Sequence, residues 1–161
     1  MGKFAKVCLE GSNEYVKIGI CKHADTAMQV EDAINNLDRK ITDYLVLITR
    51  SEMSIFESEE HSMLIDTVRD IERIGDHCEN LIELVDYQIA NKVKLTESTM
   101  DDLKEMFDIT IAALTDAIAA LDDKDTALAT KVLKTERQID KLERTLRKKH
   151  ILRIHEAECT G

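Results

Sequence analysis

The 161-residue chain contains no proline and no tryptophan, only five glycines and only 4% aromatic residues. Sheets and tight turns have little to work with in such a composition. Long stretches rich in Ala, Leu, Glu, Lys, Ile and Asp instead favour long helices, so the expected class is all-α. Basic residues are also short: 22 Lys and Arg stand against 32 Asp and Glu, a net charge of -10. Affinity for a polyanion comes largely from cations displacing its counterions, which argues against nucleic acid as a partner. No stretch approaches the roughly 18 apolar residues of a membrane span. The opening Met1-Gly2-Lys3-Phe4-Ala5-Lys6 lacks the apolar run of a secretory signal, and Lys6 stands where myristoylation requires Ser or Thr. The four cysteines, Cys8, Cys21, Cys78 and Cys159, form no Cys-x-x-Cys pair and read as reduced thiols. These absences together lead to the expectation of a soluble, cytoplasmic chain.

What is present is apolar periodicity: 43% of the residues are apolar, enough for a continuous core. Spacing and polar breaks predict five helices, over Lys3 to Lys22, Asp25 to Arg50, Glu57 to Ile89, Thr96 to Leu121 and Asp125 to His155. Thr96 is the expected N-cap of the fourth, and Asp122-Asp123-Lys124-Asp125 is a polar hinge. The first break is placed near Cys21 to Asp25, with no glycine or proline there to enforce it, so the first two helices are expected to run nearly into one another.

An internal repeat organises the chain. Glu31-Asp32-Ala33-Ile34-Asn35-Asn36-Leu37 and Glu136-Arg137-Gln138-Ile139-Asp140-Lys141-Leu142 share Glu-x-x-Ile-(Asn/Asp)-x-Leu, 105 positions apart. The second and fifth helices are therefore expected to be equivalent members of two units, residues 1–91 and 96–161. The second unit ends before a counterpart of the third helix, so one helix is expected to be missing. Faces carrying Ile111, Leu114, Ile118, Leu128, Val132 and Ile139 would then stand partly open, and a homodimer is the expected remedy.

Two acidic pairs have helical one-turn spacing: Glu72 with Asp76, inside Asp70-Ile71-Glu72-Arg73-Ile74-Gly75-Asp76-His77, and Glu136 with Asp140. Residues four apart share a face and can converge on one cation, and carboxylate oxygens suit iron, manganese, magnesium or calcium. Acidic residues on helices more often face water. Like charges one turn apart cost about 0.2–0.5 kcal/mol, however, so their repetition in two units calls for a compensating cation. Asp66 and Asp70 are also one turn apart and read as partners of Arg69 and Arg73. Gly75 inside a helix reads as a point of close approach. None of His23, His61, His77, His150 and His155 has a Glu three residues before it, which argues against ferritin-like di-iron oxidase chemistry. No nucleophile stands in a recognisable elbow, so no enzymatic activity is expected.

The order Glu72-Arg73-Ile74-Gly75-Asp76-His77, Glu79-Asn80-Leu81, Glu136 to Leu142, His150-Ile151-Leu152-Arg153-Ile154 and Glu158-Cys159 resembles the PhoU domain family. The resemblance covers about Val30 to Cys159. It implies an antiparallel helical bundle of two similar three-helix units, a regulatory role in phosphate transport, and multinuclear metal clusters, with iron first and manganese, zinc or magnesium as alternatives. Carried over residue by residue, the implied ligands are Glu72, Asp76, Glu136 and Asp140, with Glu31 next and His77 and His150 as neighbours. Arg50-Ser51-Glu52-Met53-Ser54-Ile55-Phe56-Glu57-Ser58, Asn35 and Asp43-Tyr44-Leu45 look more like the cytoplasmic C-terminal domain of sodium/phosphate cotransporters than like stand-alone PhoU regulators. The implied partners are a transporter's membrane domain or a phosphate-signalling protein at the inner face of the membrane. The basic run Arg144, Arg147, Lys148, Lys149 and Arg153 reads as a dipole complement or as a contact for a membrane surface or an acidic partner.

Overall fold

Gly19, in the left-handed conformation at φ 67°, ends the first helix, and its amide donates to the Tyr15 carbonyl at 2.8 Å. A glycine adopts this conformation without the Cβ clash that penalises other residues. The first break therefore lies at Gly19-Ile20, upstream of the predicted Cys21 to Asp25, and the first two helices are distinct. The computed structural model describes residues 1–49 and 52–155. Arg50 and Ser51 of the proline-free linker, and residues 156–161 with Glu158 and Cys159, lie outside the described residues. The elements are α1 (Gly2–Ile18), α2 (Cys21–Ile48), α3 (Ile55–Ala90), α4 (Glu97–Asp123) and α5 (Thr126–His155), and all are helical as the composition predicts.

Local signals set the other ends. Ser54 and Glu57 form a reciprocal box before α3: the Ser54 amide and hydroxyl both donate to Glu57 Oε2 at 2.8 Å, and the Glu57 amide donates back to Ser54 Oγ at 3.3 Å. Thr96 caps α4, its hydroxyl accepting from the Thr99 amide at 3.2 Å, as the sequence predicts. The acidic hinge resolves into Lys124, left-handed at φ 52°, and Asp125, whose Oδ1 accepts from the amides of Ala127 and Leu128 at 2.8 and 3.0 Å.

The chain forms two compact units, Met1–Val85 and Asp86–Gly161, with the boundary inside the last turns of α3. In the first unit, α1 and α2 pack antiparallel through small residues. A Cβ on Gly11 would meet the Ala27 Cβ at 3.3 Å, and the Cys8 thiol donates to the Ala27 carbonyl at 3.3 Å. α3 returns along α2: His61 Nε2 donates to the Leu45 carbonyl at 2.9 Å near one end, and Gly75 faces Ile34 and Glu31 further along. α1 touches α3 at Ser12, whose hydroxyl donates to the Cys8 carbonyl at 3.0 Å and reaches the Cys78 carbonyl at 3.5 Å. Ala5, Cys8, Tyr15, Ala27, Ile34, Cys78 and Ile82 are the buried centre of this three-helix core.

In the second unit, α4 and α5 form an antiparallel hairpin. Ser98 and Asp102 near the start of α4 meet Arg153 and Lys149 near the end of α5, and Asp116 meets Lys131 at 2.7 Å at the opposite end. Phe107 and Ala120 are buried, whereas Ile111, Leu114, Ile118, Leu128, Val132 and Ile139 are only half-buried.

Candidate functional site

Glu31, Asn35 and Asp38 follow one face of α2, and Glu72, Asp76 and Glu79 follow one face of α3, each set at spacings of three and four residues. Gly75 brings the two helices together: a Cβ there would stand 3.5 Å from Ile34 Cδ1 and 3.7 Å from Glu31 Cγ. These are ordinary van der Waals distances, so the space would accept an alanine, and the glycine is not demanded by sterics. The result is a carboxylate seam between α2 and α3.

Glu31 is the unusual member, a carboxylate only 4% exposed. Its Oε1 accepts from the Asn35 amide one turn on, and among the described residues it has no ion pair. Burial first, then the charges of Glu79, Asp32 and Asp76, push the Glu31 carboxyl up, against the opposing pull of the Asn35 hydrogen bond. Glu72 is pushed up by burial and then by Asp76 and Asp38, with Arg73 and Arg69 acting weakly the other way. Asn35 serves as the positioning donor for Glu31.

In charge and donor chemistry the seam offers hard oxygens suited to a cation, one buried carboxylate, Glu31, beside the half-buried Glu72, Asp76 and Glu79. Its side chains do not form a closed cage, since among the described residues no three His, Cys, Asp or Glu groups converge tightly enough to hold an ion. The other predicted ligands, Glu136 and Asp140, are exposed on α5 in the second unit, and Asp140 lies 3.6 Å from Arg144. His77 and His150 are exposed, and Asp70 pairs with Arg73 at 3.8 Å.

Two members of the basic run on α5 are engaged by α4. Arg153, 6% exposed, donates to Asp102 Oδ2 at 2.6 Å and also binds Ser98, while Lys149 donates to Asp102 Oδ1 at 2.6 Å. Burial alone would raise the Asp102 carboxyl, but Lys149 and Arg153 outweigh it and hold Asp102 below its ordinary value. Arg147 pairs with Glu143 and Arg144 with Asp140. The end of the run, Arg153 with Lys149, is thus an internal clamp, while Arg144, Arg147 and Lys148 stay exposed on α5. A shallow groove of about 450 Å³ beside the clamp includes Thr99, Met106, Leu146 and His150. Sequence reasoning missed the Asp102 cluster because its partners are some fifty residues apart. The one available signal was Asp102 on the apolar stripe of α4.

The profile of the PhoU domain matches residues 1–85 and 103–161. The chain belongs to the PhoU domain family. It is 28% identical over 139 residues to the phosphate-specific transport system accessory protein PhoU homolog 1 of Thermotoga maritima, an alignment covering 86% of this chain. The chain spans about 59% of the length of that relative. No solved structure matches it. Among the described residues, no helix of this PhoU-family chain is long and apolar enough to cross a membrane.

Proposed function

We propose that this chain is a non-catalytic regulatory domain of phosphate transport that binds multivalent cations on the α2–α3 seam and acts on the cytoplasmic side of the membrane. The observation that carries the cation reading is the buried Glu31, surrounded by Asp32, Asp76 and Glu79 without a basic partner. A bound cation would offset that repulsion and draw Glu31, Glu72 and Asp76 together across the helices. Iron is the first candidate, with manganese, zinc and magnesium behind it. Glu136 and Asp140 are proposed as a second, more exposed pair of ligands on the equivalent helix of the repeat. The half-buried apolar residues of α4 and α5 support pairing with a second copy of the chain.

For the partner, the proline-free linker and Asn35 support a sodium/phosphate cotransporter, of which the chain would be a part or a soluble companion. A stand-alone accessory regulator is the second reading, favoured by the likeness to the phosphate-specific transport system accessory protein of Thermotoga maritima. Phosphate uptake by cells lacking their own PhoU-type regulator, with and without this chain, tests the shared part of both. Lower uptake at high external phosphate supports regulation, and unchanged uptake contradicts it. Repeating the assay with a sodium/phosphate cotransporter as the sole phosphate importer separates the readings.

A further inference from the structure

We propose that the outward face of α5 is a docking surface for an anionic phospholipid membrane. Lys134, Arg137, Lys141, Arg144 and Lys148 recur at alternating steps of three and four residues, so they line one face of the helix, and all five are exposed. At 1.5 Å per residue the stripe is about 21 Å long. Arg153, which meets Asp102 of α4, projects from the far side of the helix. Among the described residues, Lys134, Arg137, Lys141 and Lys148 have no hydrogen bond or ion pair, and Arg144 has only the exposed pair with Asp140 at 3.6 Å, a kind that contributes little. Like charges one turn apart repel, so the stripe costs helix stability. The fold does not require it: 105 positions earlier, the equivalent places on α2 hold Gln29, Asp32, Asn36, Arg39 and Asp43.

The field of exposed charges fades within about 8 Å at physiological salt, so the stripe presents positive charge locally although the chain carries a net charge of -10. Its ends narrow the choice of partner. Leu133 before it and Ile151 and Leu152 beyond it are 58%, 48% and 59% exposed. A straight row of cations flanked by apolar side chains fits a lipid headgroup layer, where Lys and Arg lie against phosphates and the apolar ends enter the acyl boundary. A single-stranded nucleic acid would call for aromatic side chains on which bases stack, and α5 contains no Phe, Tyr or Trp. Glu136, Asp140 and Glu143 lie along one edge of the stripe. The helix therefore meets an anionic surface rolled towards Lys134, Lys141 and Leu152. Only the location of such lipid rests on the proposed placement of the chain at the inner face of the membrane.

In the test, the full chain is sedimented with vesicles of phosphatidylcholine alone and of phosphatidylcholine with phosphatidylglycerol, with EDTA present so that no cation bridges acidic side chains to lipid. The chain should pellet with the anionic vesicles, stay in solution with the neutral ones, and be released by high salt. Each cation near an anionic surface is worth about a factor of five, so Lys141→Gln/Lys148→Gln should bind about 25-fold more weakly. Lys94→Gln/Lys104→Gln, which changes the net charge equally but away from the stripe, should bind as wild type does. Ile151→Ser/Leu152→Ser should weaken binding and leave its salt dependence unchanged. No pelleting with anionic vesicles, or an equal loss in Lys94→Gln/Lys104→Gln, would overturn the proposal. So would binding to polyglutamate in place of vesicles, which would assign the stripe to an acidic protein. No phosphate, transporter or metal enters this assay, so its failure leaves the uptake result standing, and the reverse.

Discussion

The Asn35 amide donates to the carboxylate of Glu31 one turn earlier on α2, while Glu79 and Asp76 of α3 press on the same carboxylate with like charge. A neutral donor thus holds Glu31 in place without relieving its charge, which leaves the folded first unit with repulsion that a cation can remove. Glu31→Gln keeps the shape and an acceptor for Asn35 but deletes that charge. Its expected effect is a higher melting temperature than wild type without metal and a smaller gain on adding iron or manganese, both read by differential scanning calorimetry.

The two units should respond oppositely to acid. Glu31 and Glu72 are pushed up in the folded state, so their contribution is fully present below the unfolded value and is lost as pH rises through the raised one. Asp102 is held down, so its contribution is present above the unfolded carboxylate value and is lost as pH falls through the lowered one. Metal-free protein should therefore gain stability as pH falls through the raised values of Glu31 and Glu72 towards the unfolded Glu value of about 4.3, then lose it as pH falls through the lowered value of Asp102. Melting temperature against pH measures this, and Glu31→Gln should flatten the gain.

Asp102→Ala removes the shared partner of Lys149 and the buried Arg153. Leaving a buried cation unpaired costs about 3–5 kcal/mol, so the α4–α5 hairpin should unfold early in urea while buried Cys8 and Cys78 stay protected from alkylation. Simultaneous exposure of those thiols would show that the clamp supports the whole chain.

Gly75→Ala should be tolerated, since its Cβ would meet only ordinary contacts, and a glycine inside a helix is about 1 kcal/mol worse than alanine. Urea unfolding is expected to show a gain of up to that size. A loss of more than about 1 kcal/mol would mean that the seam is tighter than its spacing indicates.

The half-buried stripe of Ile111, Leu114, Ile118, Leu128, Val132 and Ile139 should be covered by a second copy of the chain. Light scattering in the micromolar range is expected to give a dimer, and Ile118→Glu with Val132→Glu should return it to a monomer. A monomeric wild type contradicts the pairing.

Helix number and class were legible because a proline-free chain with 3.6-residue periodicity leaves few alternatives. Thr96 was readable as a cap, and Asp122 to Asp125 as a polar break, because their chemistry is local. Gly19 was passed over for polar residues further on, although a glycine just past an apolar-periodic stretch is the stronger stop signal. The repeat identified Glu31 and Glu136 as equivalents by pattern, yet one is buried against Gly75 of α3 and the other exposed on α5. Periodicity within one helix does not say which face a distant helix covers. The same reason hid the Arg153–Asp102 clamp, made by residues far apart in the chain.

The most direct test is the metal content of protein purified without chelator or metal-affinity resin, measured by elemental mass spectrometry. Wild type should carry iron or manganese, Glu31→Gln/Asp76→Asn should lose most of it, and Glu136→Ala/Asp140→Ala should lose less. A folded wild type without metal, or metal unchanged in Glu31→Gln/Asp76→Asn, would contradict the seam as the cation site.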